Sequence, residues 1–249
     1  MGWHEQGDGN WFLGVNVEQG RIRDFAAHTM GDVEAPDLPT PAASSAVKVK
    51  TALRQVVDEL NLTHILTPSQ SIIFRDVKPE QRQRLDAILA ANGIKTIADV
   101  DNLVRQSIGC PALPLCGLAV AEAERRMPEW MANMRALMTK VGLAQDEQIL
   151  MRMTGCPNGC ARPYMAELAL VGDGPEMYQV WLGGSPVLTR LAQTYQNKVK
   201  WDGMDAFIEP LLVYWRDSRA KGEAFGDFAT RVGLESLKNY QEAYKAPAF

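Results

Sequence analysis

The only four cysteines of this chain fall into two tight pairs, Cys110 with Cys116 and Cys156 with Cys160, with residues 117–155 between them. Each pair sits in a segment rich in Pro and Gly. The first reads Gly109-Cys110-Pro111-Ala112-Leu113-Pro114-Leu115-Cys116-Gly117. The second reads Thr154-Gly155-Cys156-Pro157-Asn158-Gly159-Cys160-Ala161-Arg162-Pro163. Proline and glycine at this density break helices and strands, so both pairs must lie in turns. Thiolates confined to turns suit a metal cluster. A cubane iron–sulfur cluster takes four Cys ligands, and backbone N–H groups in Gly-containing turns can point at its sulfurs and tune its potential. Three other readings stay open. Structural zinc sites space their pairs by two to four residues, which Cys156 and Cys160 satisfy and Cys110 and Cys116 do not. Two disulfides would need an oxidising compartment, and no apolar signal stretch opens the chain. Unrelated buried thiols are the plainest alternative. The spacing favours the cluster, and with it electron transfer.

The remaining composition bounds the answer without naming it. A chain of 249 residues, 46% apolar and 22% charged, suits one large globular domain or two small ones. No apolar run is long enough to span a membrane. A net charge of −4 and a pI near 5.5 argue against a general nucleic-acid binder. The opening Met1-Gly2-Trp3-His4-Glu5 is neither a signal peptide nor an Arg/Ser-rich transit peptide. The expected location is the cytoplasm, or the plastid stroma if a transit peptide once stood upstream.

Periodicity predicts an α+β organisation. Trp11–Val17 reads as a strand forming a hairpin with residues 21–25 across Gln19-Gly20, and residues 32–44, with three prolines, read as a loop. Leu53, Val56, Val57 and Leu60 share a helical face over about 47–61. Ile65–Thr67 and Ile72–Phe74 read as short strands. Pro79 starts a helix with Leu85, Ile88 and Leu89 on its apolar face, and Asn92-Gly93 stops it. The order ββ-α-ββ-α suggests a small domain over residues 1–94, with helices on one face of a sheet. A second domain spans 95–249. There, Gly117–Arg126 is rich in helix formers, which puts the first cysteine pair at a helix N-terminus. Pro128 opens a helix lined by Trp130, Met134, Leu137, Met138 and Val141. Residues 149–153, 166–171 and 178–182 read as strands, and Met204–Trp215 as a helix kinked or restarted at Pro210.

Specific wording now carries a resemblance. Thr154-Gly155-Cys156-Pro157-Asn158-Gly159-Cys160-Ala161-Arg162-Pro163-Tyr164-Met165-Ala166-Glu167 is similar to the siroheme and iron–sulfur signature of assimilatory sulfite reductases. Cys110–Cys116 followed by Ala121-Glu122-Ala123-Glu124-Arg125 resembles that family's first ligand pair. Val171–Pro175, Tyr178–Gly184 and Phe225–Phe228 continue the match, which is closest to the ferredoxin-dependent type and covers nearly the whole chain. The resemblance implies a ferredoxin-like half-domain over 1–94 and a siroheme and [4Fe–4S] domain of the nitrite/sulfite reductase type over 95–249. It implies Cys110, Cys116, Cys156 and Cys160 as cluster ligands, with Cys160 also the axial ligand of the siroheme iron. Gln70, Arg152, Asn158 and Arg162 become residues of the siroheme or cluster environment. Six electrons from ferredoxin would reduce sulfite to sulfide. The alternative is an iron–sulfur electron carrier, or a partial redox subunit, without sulfite turnover.

The resemblance reaches only the C-terminal half of such an enzyme, and the family's main sulfite-binding Arg and Lys residues lie upstream of it. No catalytic residue is therefore assignable here. The expected partners are ferredoxin, sulfite, and a separate N-terminal half or a second copy docked on an exposed apolar face. Where the family reads Asn-Gln-Asn after Leu66-Thr67-Pro68, this chain has Ser69-Gln70-Ser71. His4, His28 and His64 stand at no ligand spacing. Lys48, Lys50, Lys198 and Lys200 form small basic spots, best explained as solvated faces and otherwise as a guide for acidic ferredoxin. Gly172-x-Gly174 is not followed by a helix pattern and carries no nucleotide-binding reading.

Overall fold

The computed structural model describes residues 1–22, 24, 29–30, 33–34 and 47–245. The chain divides into two compact units, Met1–Asp101 and Asn102–Phe249. His28 and most of the expected 32–44 loop lie outside the described residues.

In the first unit, β1 (Gly2–Glu5), β2 (Trp11–Val15), β5 (Thr63–Leu66) and β6 (Ile72–Val77) form an antiparallel sheet in the order β1-β2-β6-β5. Two-residue strands β3 (Thr29–Met30) and β4 (Val33–Glu34) pair separately. Helix α1 (Val49–Leu60) ends at Asn61 in the left-handed region, and α2 (Arg82–Ala91) follows a short turn opened by Pro79. Leu13, Val15, Ile72, Phe74 and Val77 of the sheet share one core with Val49, Ala52 and Val56 of α1 and Leu85, Ile88 and Leu89 of α2. From α1 onward this is the expected α-ββ-α order. The buried stripe of α1 runs through Val49, Ala52 and Val56, which leaves Val57 exposed.

The expected hairpin is corrected. Strand β2 pairs with β1 across Gly7-Asp8-Gly9, and residues 18–20 form a short 3-10 turn instead of a hairpin tip. Gly7 and Gly9 both take positive φ, and the Asp8 side chain accepts from the Asn10 N–H at 2.9 Å. These groups make the tight turn. Strand β1, with its sequence Gly-Trp-His-Glu, carries too little strand signal to be seen beforehand.

In the second unit, β7 (Ile108–Gly109), β8 (Met151–Thr154), β9 (Leu168–Gly174), β10 (Met177–Leu182) and β11 (Gln193–Lys200) make a sheet in the order β11-β10-β9-β8-β7. Strands β7, β8 and β9 run parallel, and β9, β10 and β11 antiparallel. The short α3 (Asn102–Gln106) precedes β7, and α4 (Met127–Lys140) opens at Pro128 and buries Trp130, Met134, Leu137 and Met138. Helix α5 (Met204–Ser218) runs unbroken through Pro210, so the expected restart does not occur. Helices α6 (Phe225–Val232) and α7 (Leu234–Ala243) complete the unit.

A second correction bears on the site. Residues 117–126 form turns and irregular backbone rather than a helix. The N–H groups of Val120 and Ala121 donate to the Gly155 carbonyl at 2.8 and 3.1 Å, and the Glu124 N–H donates to the Cys110 carbonyl at 3.0 Å. Residues 121–124 are all buried. Tertiary hydrogen bonds satisfy these amides, and that outweighs the helix propensity of the sequence.

Candidate metal centre

The two cysteine loops leave from neighbouring strands. Parallel strands β7 and β8 place Gly109 opposite Met153, and the Cys110 N–H continues the ladder to the Met153 carbonyl at 3.1 Å. Cys110 therefore stands at the carboxyl end of β7. Cys156 follows two residues beyond the end of β8, where the Thr154 hydroxyl donates to its carbonyl at 3.1 Å. Ends of adjacent parallel strands are where such sheets place ligand sites.

Gly155 joins the loops. Its N–H donates to the Cys110 sulfur at 3.3 Å, while its carbonyl accepts from Val120 and Ala121 of the first loop. Space around it is closed. A Cβ on Gly155 would lie 2.5 Å from the Ala121 carbonyl oxygen and 2.7 Å from the Ala112 Cβ, and one on Gly172 would lie 2.3 Å from the Gly155 oxygen. The two glycines let three backbone segments approach more closely than any side chain permits. The first loop closes with the Cys116 N–H donating to the Ala112 carbonyl at 2.8 Å.

The thiols differ in exposure. Cys110 and Cys156 are buried, Cys116 is half-buried and Cys160 is exposed. Burial pushes the Cys110 thiol above its ordinary pKa. N–H donation from Gly155 and Ala112 pulls it back, and the nearby Cys160 and Cys156 push it up again. Cys156 and Cys160 both lie within electrostatic reach of Cys110, and negative charge on them disfavours a Cys110 thiolate unless a cation balances it. Among the described residues, no group of three or more His, Cys, Asp or Glu converges at single-ion spacing. A cubane cluster is a larger body than one ion and holds its thiolates farther apart.

Cationic groups stand beside the second loop. Arg152, on β8, is 1% exposed and donates through Nη1 to the Arg162 carbonyl at 3.0 Å. Its Nε is buried with no hydrogen-bond partner, and no described carboxylate pairs with it. Desolvation, with Arg162 adding repulsion, pushes its pKa down to about 10. A buried guanidinium beside a second cation calls for a nearby anion. A thiolate-ligated cluster and a carboxylate-rich tetrapyrrole are both such anions, so the donor set and its surroundings fit both groups. Arg162 takes φ +54° in the turn after Cys160, and Asn158 is exposed at the loop tip. The four cysteines, Arg152, Asn158 and Arg162 all belong to the second unit. Gln70 lies in the other, in the β5–β6 turn at φ +58°.

Sequence reasoning passed over three residues here. Gly155 and Gly172 matter for their close approaches. Tyr164 donates from its hydroxyl to the Pro157 carbonyl at 2.6 Å. Only the clustering of Gly and aromatic residues around the second pair could have marked them. The two described histidines make local structural contacts. His4 stacks on Phe12 and meets the Met1 carbonyl, and His64 meets the Leu62 carbonyl.

The chain is similar to several known proteins. No protein-family model matches the chain. It is 43% identical over 248 residues to the sulfite reductase [ferredoxin] of Synechococcus elongatus, covering all of this chain and 36% of that protein, its C-terminal part. It is 36% identical over 233 residues to the sulfite reductase [NADPH] hemoprotein beta-component of Myxococcus xanthus, covering 94% of this chain and 38% of that one. The chain thus spans between a third and two-fifths of the length of these relatives. Among solved structures, Mycobacterium tuberculosis NirA shares the fold over 95% of this chain and 41% of its own, with TM-score 0.71 and 21% identity. Dissimilatory sulfite reductase I aligns over 82% of this chain and 68% of its own, with TM-score 0.57 and 12% identity.

Proposed function

Because this chain belongs with the nitrite and sulfite reductases, matching the C-terminal part of the ferredoxin-dependent type along its whole length, we propose that it is the cofactor-holding half of a sulfite reductase. In this reading Cys110, Cys116, Cys156 and Cys160 hold a [4Fe–4S] cluster, Cys160 also serves the siroheme iron, ferredoxin is the electron donor and sulfite the substrate. The observation that carries the reading is the pair of cysteine loops joined through Gly155 at the ends of β7 and β8. When bound, siroheme with its coupled cluster supplies the multi-electron reduction of sulfite.

The chain's own residues do the holding and tuning. Cys110 and Cys156 are buried and Cys116 half-buried, and the Gly155 N–H supports negative charge on the Cys110 sulfur. Cys160 is exposed and so is free to serve a second metal. Arg152 and Arg162 bring positive charge to the loop, favouring bound anions. Asn158 and Gln70 are proposed to contribute polar contacts to siroheme. The sulfite-binding cations are proposed to come from an N-terminal half or from a second copy.

The test is a visible spectrum with iron and acid-labile sulfide assays on protein purified anaerobically from a host that makes siroheme. A Soret band and a red-region band, with about five irons per chain (about four in the cluster and one in siroheme), support the reading. A brown shoulder with about four irons and no Soret band leaves an iron–sulfur carrier. Colourless protein without iron overturns both.

A further inference from the structure

We propose that Tyr164 is a positioning residue that clamps the Cys156–Cys160 loop in its ligating shape before any metal arrives; the inference rests on the cluster reading of that loop. Tyr164 touches the loop at two places. Its hydroxyl donates to the Pro157 carbonyl at 2.6 Å, spanning the turn from outside. Its ring covers Gly159, where an added Cβ would lie 2.7 Å from Cε2 and where φ is +69°.

Tyr164 is itself held firmly. It lies in the short turn Pro163–Met165, which follows Arg162, and the Arg162 carbonyl accepts from both Arg152 Nη1 and the Met165 N–H. Its own carbonyl accepts from the Ala192 N–H at 2.8 Å. Its ring meets Trp181 of β10 edge-on, with centroids 4.7 Å apart and planes at 62°. The phenol thus ties the loop to β10 of the sheet.

The geometry has a chemical consequence. Pro157, Asn158 and Gly159 are the whole span between two ligating thiols. The loop's own backbone bonds are few: the Gly159 N–H reaches the Cys156 carbonyl at 3.5 Å, and the Gly159 carbonyl accepts from the Arg162 N–H at 2.7 Å. A clamp on Pro157 and Gly159 therefore sets the spacing and direction of both sulfurs. It lowers the ordering cost of assembling the site.

The experiment compares the wild type with Tyr164→Phe, which keeps the ring on Gly159 and loses the hydroxyl, and with Tyr164→Leu, which loses both. In metal-free protein, amide hydrogen exchange over residues 156–162 is expected to quicken about fivefold to tenfold in the Phe variant, the range a single hydrogen bond sets. The Leu variant should exchange faster still, with helices α4 and α5 unchanged in all three. In cluster-loaded protein, iron release to a chelator should accelerate in the same order, and the reduced cluster's electron-paramagnetic spectrum should shift in Tyr164→Phe. Equal exchange over 156–162 in the wild type and Tyr164→Phe overturns the clamp. If the wild type takes up no iron or sulfide, the cluster reading falls, while the exchange comparison still decides the clamp.

Discussion

Gly155 and Glu167 illustrate how much single positions carry in the second unit. A methyl group on Gly155 would push against backbone, the Ala121 carbonyl at 2.5 Å, with no flexible side-chain end to give way. Gly155→Ala should cost about 1–3 kcal/mol by overpacking and should empty the site of iron, as thermal melts and iron assays will read. Glu167 is 2% exposed and accepts from the Leu150 N–H at 2.8 Å and the Gly226 N–H at 2.9 Å. Burial raises its carboxyl above the ordinary 4.5, and the two N–H donors oppose the shift. The folded state therefore favours the neutral acid. The associated stability is full below pH 4.5 and is lost as pH rises through the raised value. Glu167→Gln should remove that slope. It should also cost about 1–3 kcal/mol, because one of the two N–H groups then faces an NH2. Denaturant titrations across this pH range check both effects.

Local pattern and tertiary context agree for some elements and conflict for others. The helices opened by Pro79 and Pro128 were legible because proline at a first turn and an apolar stripe coincide. Strand β11 was not. It is an edge strand of sequence Gln-Thr-Tyr-Gln-Asn-Lys-Val-Lys, in which only Tyr195 and Val199 are buried. Its exposed Lys198 and Lys200 suit a solvated sheet edge. Residues 117–126 failed in the opposite sense, since helix-forming composition yielded to hydrogen bonds with Gly155 and Cys110. In the first unit, Phe74 of β6 is fully buried among residues of β2, α1 and α2. Phe74→Ala should therefore cost about 3–5 kcal/mol, read by denaturant unfolding.

Across the molecule, metal and fold are expected to support one another. A group that binds only the folded state stabilises it by mass action. Cluster-loaded protein should melt at a higher temperature than metal-free protein, and Cys156→Ala should abolish the difference. Leu115, Leu118 and Val120 are exposed around Cys116, and Val187 and Leu191 are exposed in the β10–β11 connection. These side chains suit the proposed packing of a further half or a second copy. Light scattering should therefore report association, and a monodisperse monomer would count against that part of the reading. Among the described residues no helix is long and apolar enough to cross a membrane.

The linear order of residues was enough for the four cysteines, their confinement to turns, the α-ββ-α succession after residue 47 and the family wording around Cys156 and Cys160. Each of these is a local property: proline and glycine restrict φ and ψ wherever they stand, and apolar periodicity follows from helix and strand geometry. Folding in three dimensions settled which backbone each loop rests on. The joining of the cysteine loops at Gly155, the irregular path of 117–126 and the burial of Arg152 all depend on β7, β8 and β9 lying side by side. Contacts between residues far apart in the chain leave no period in the sequence. They arise only when strand pairing brings those residues together.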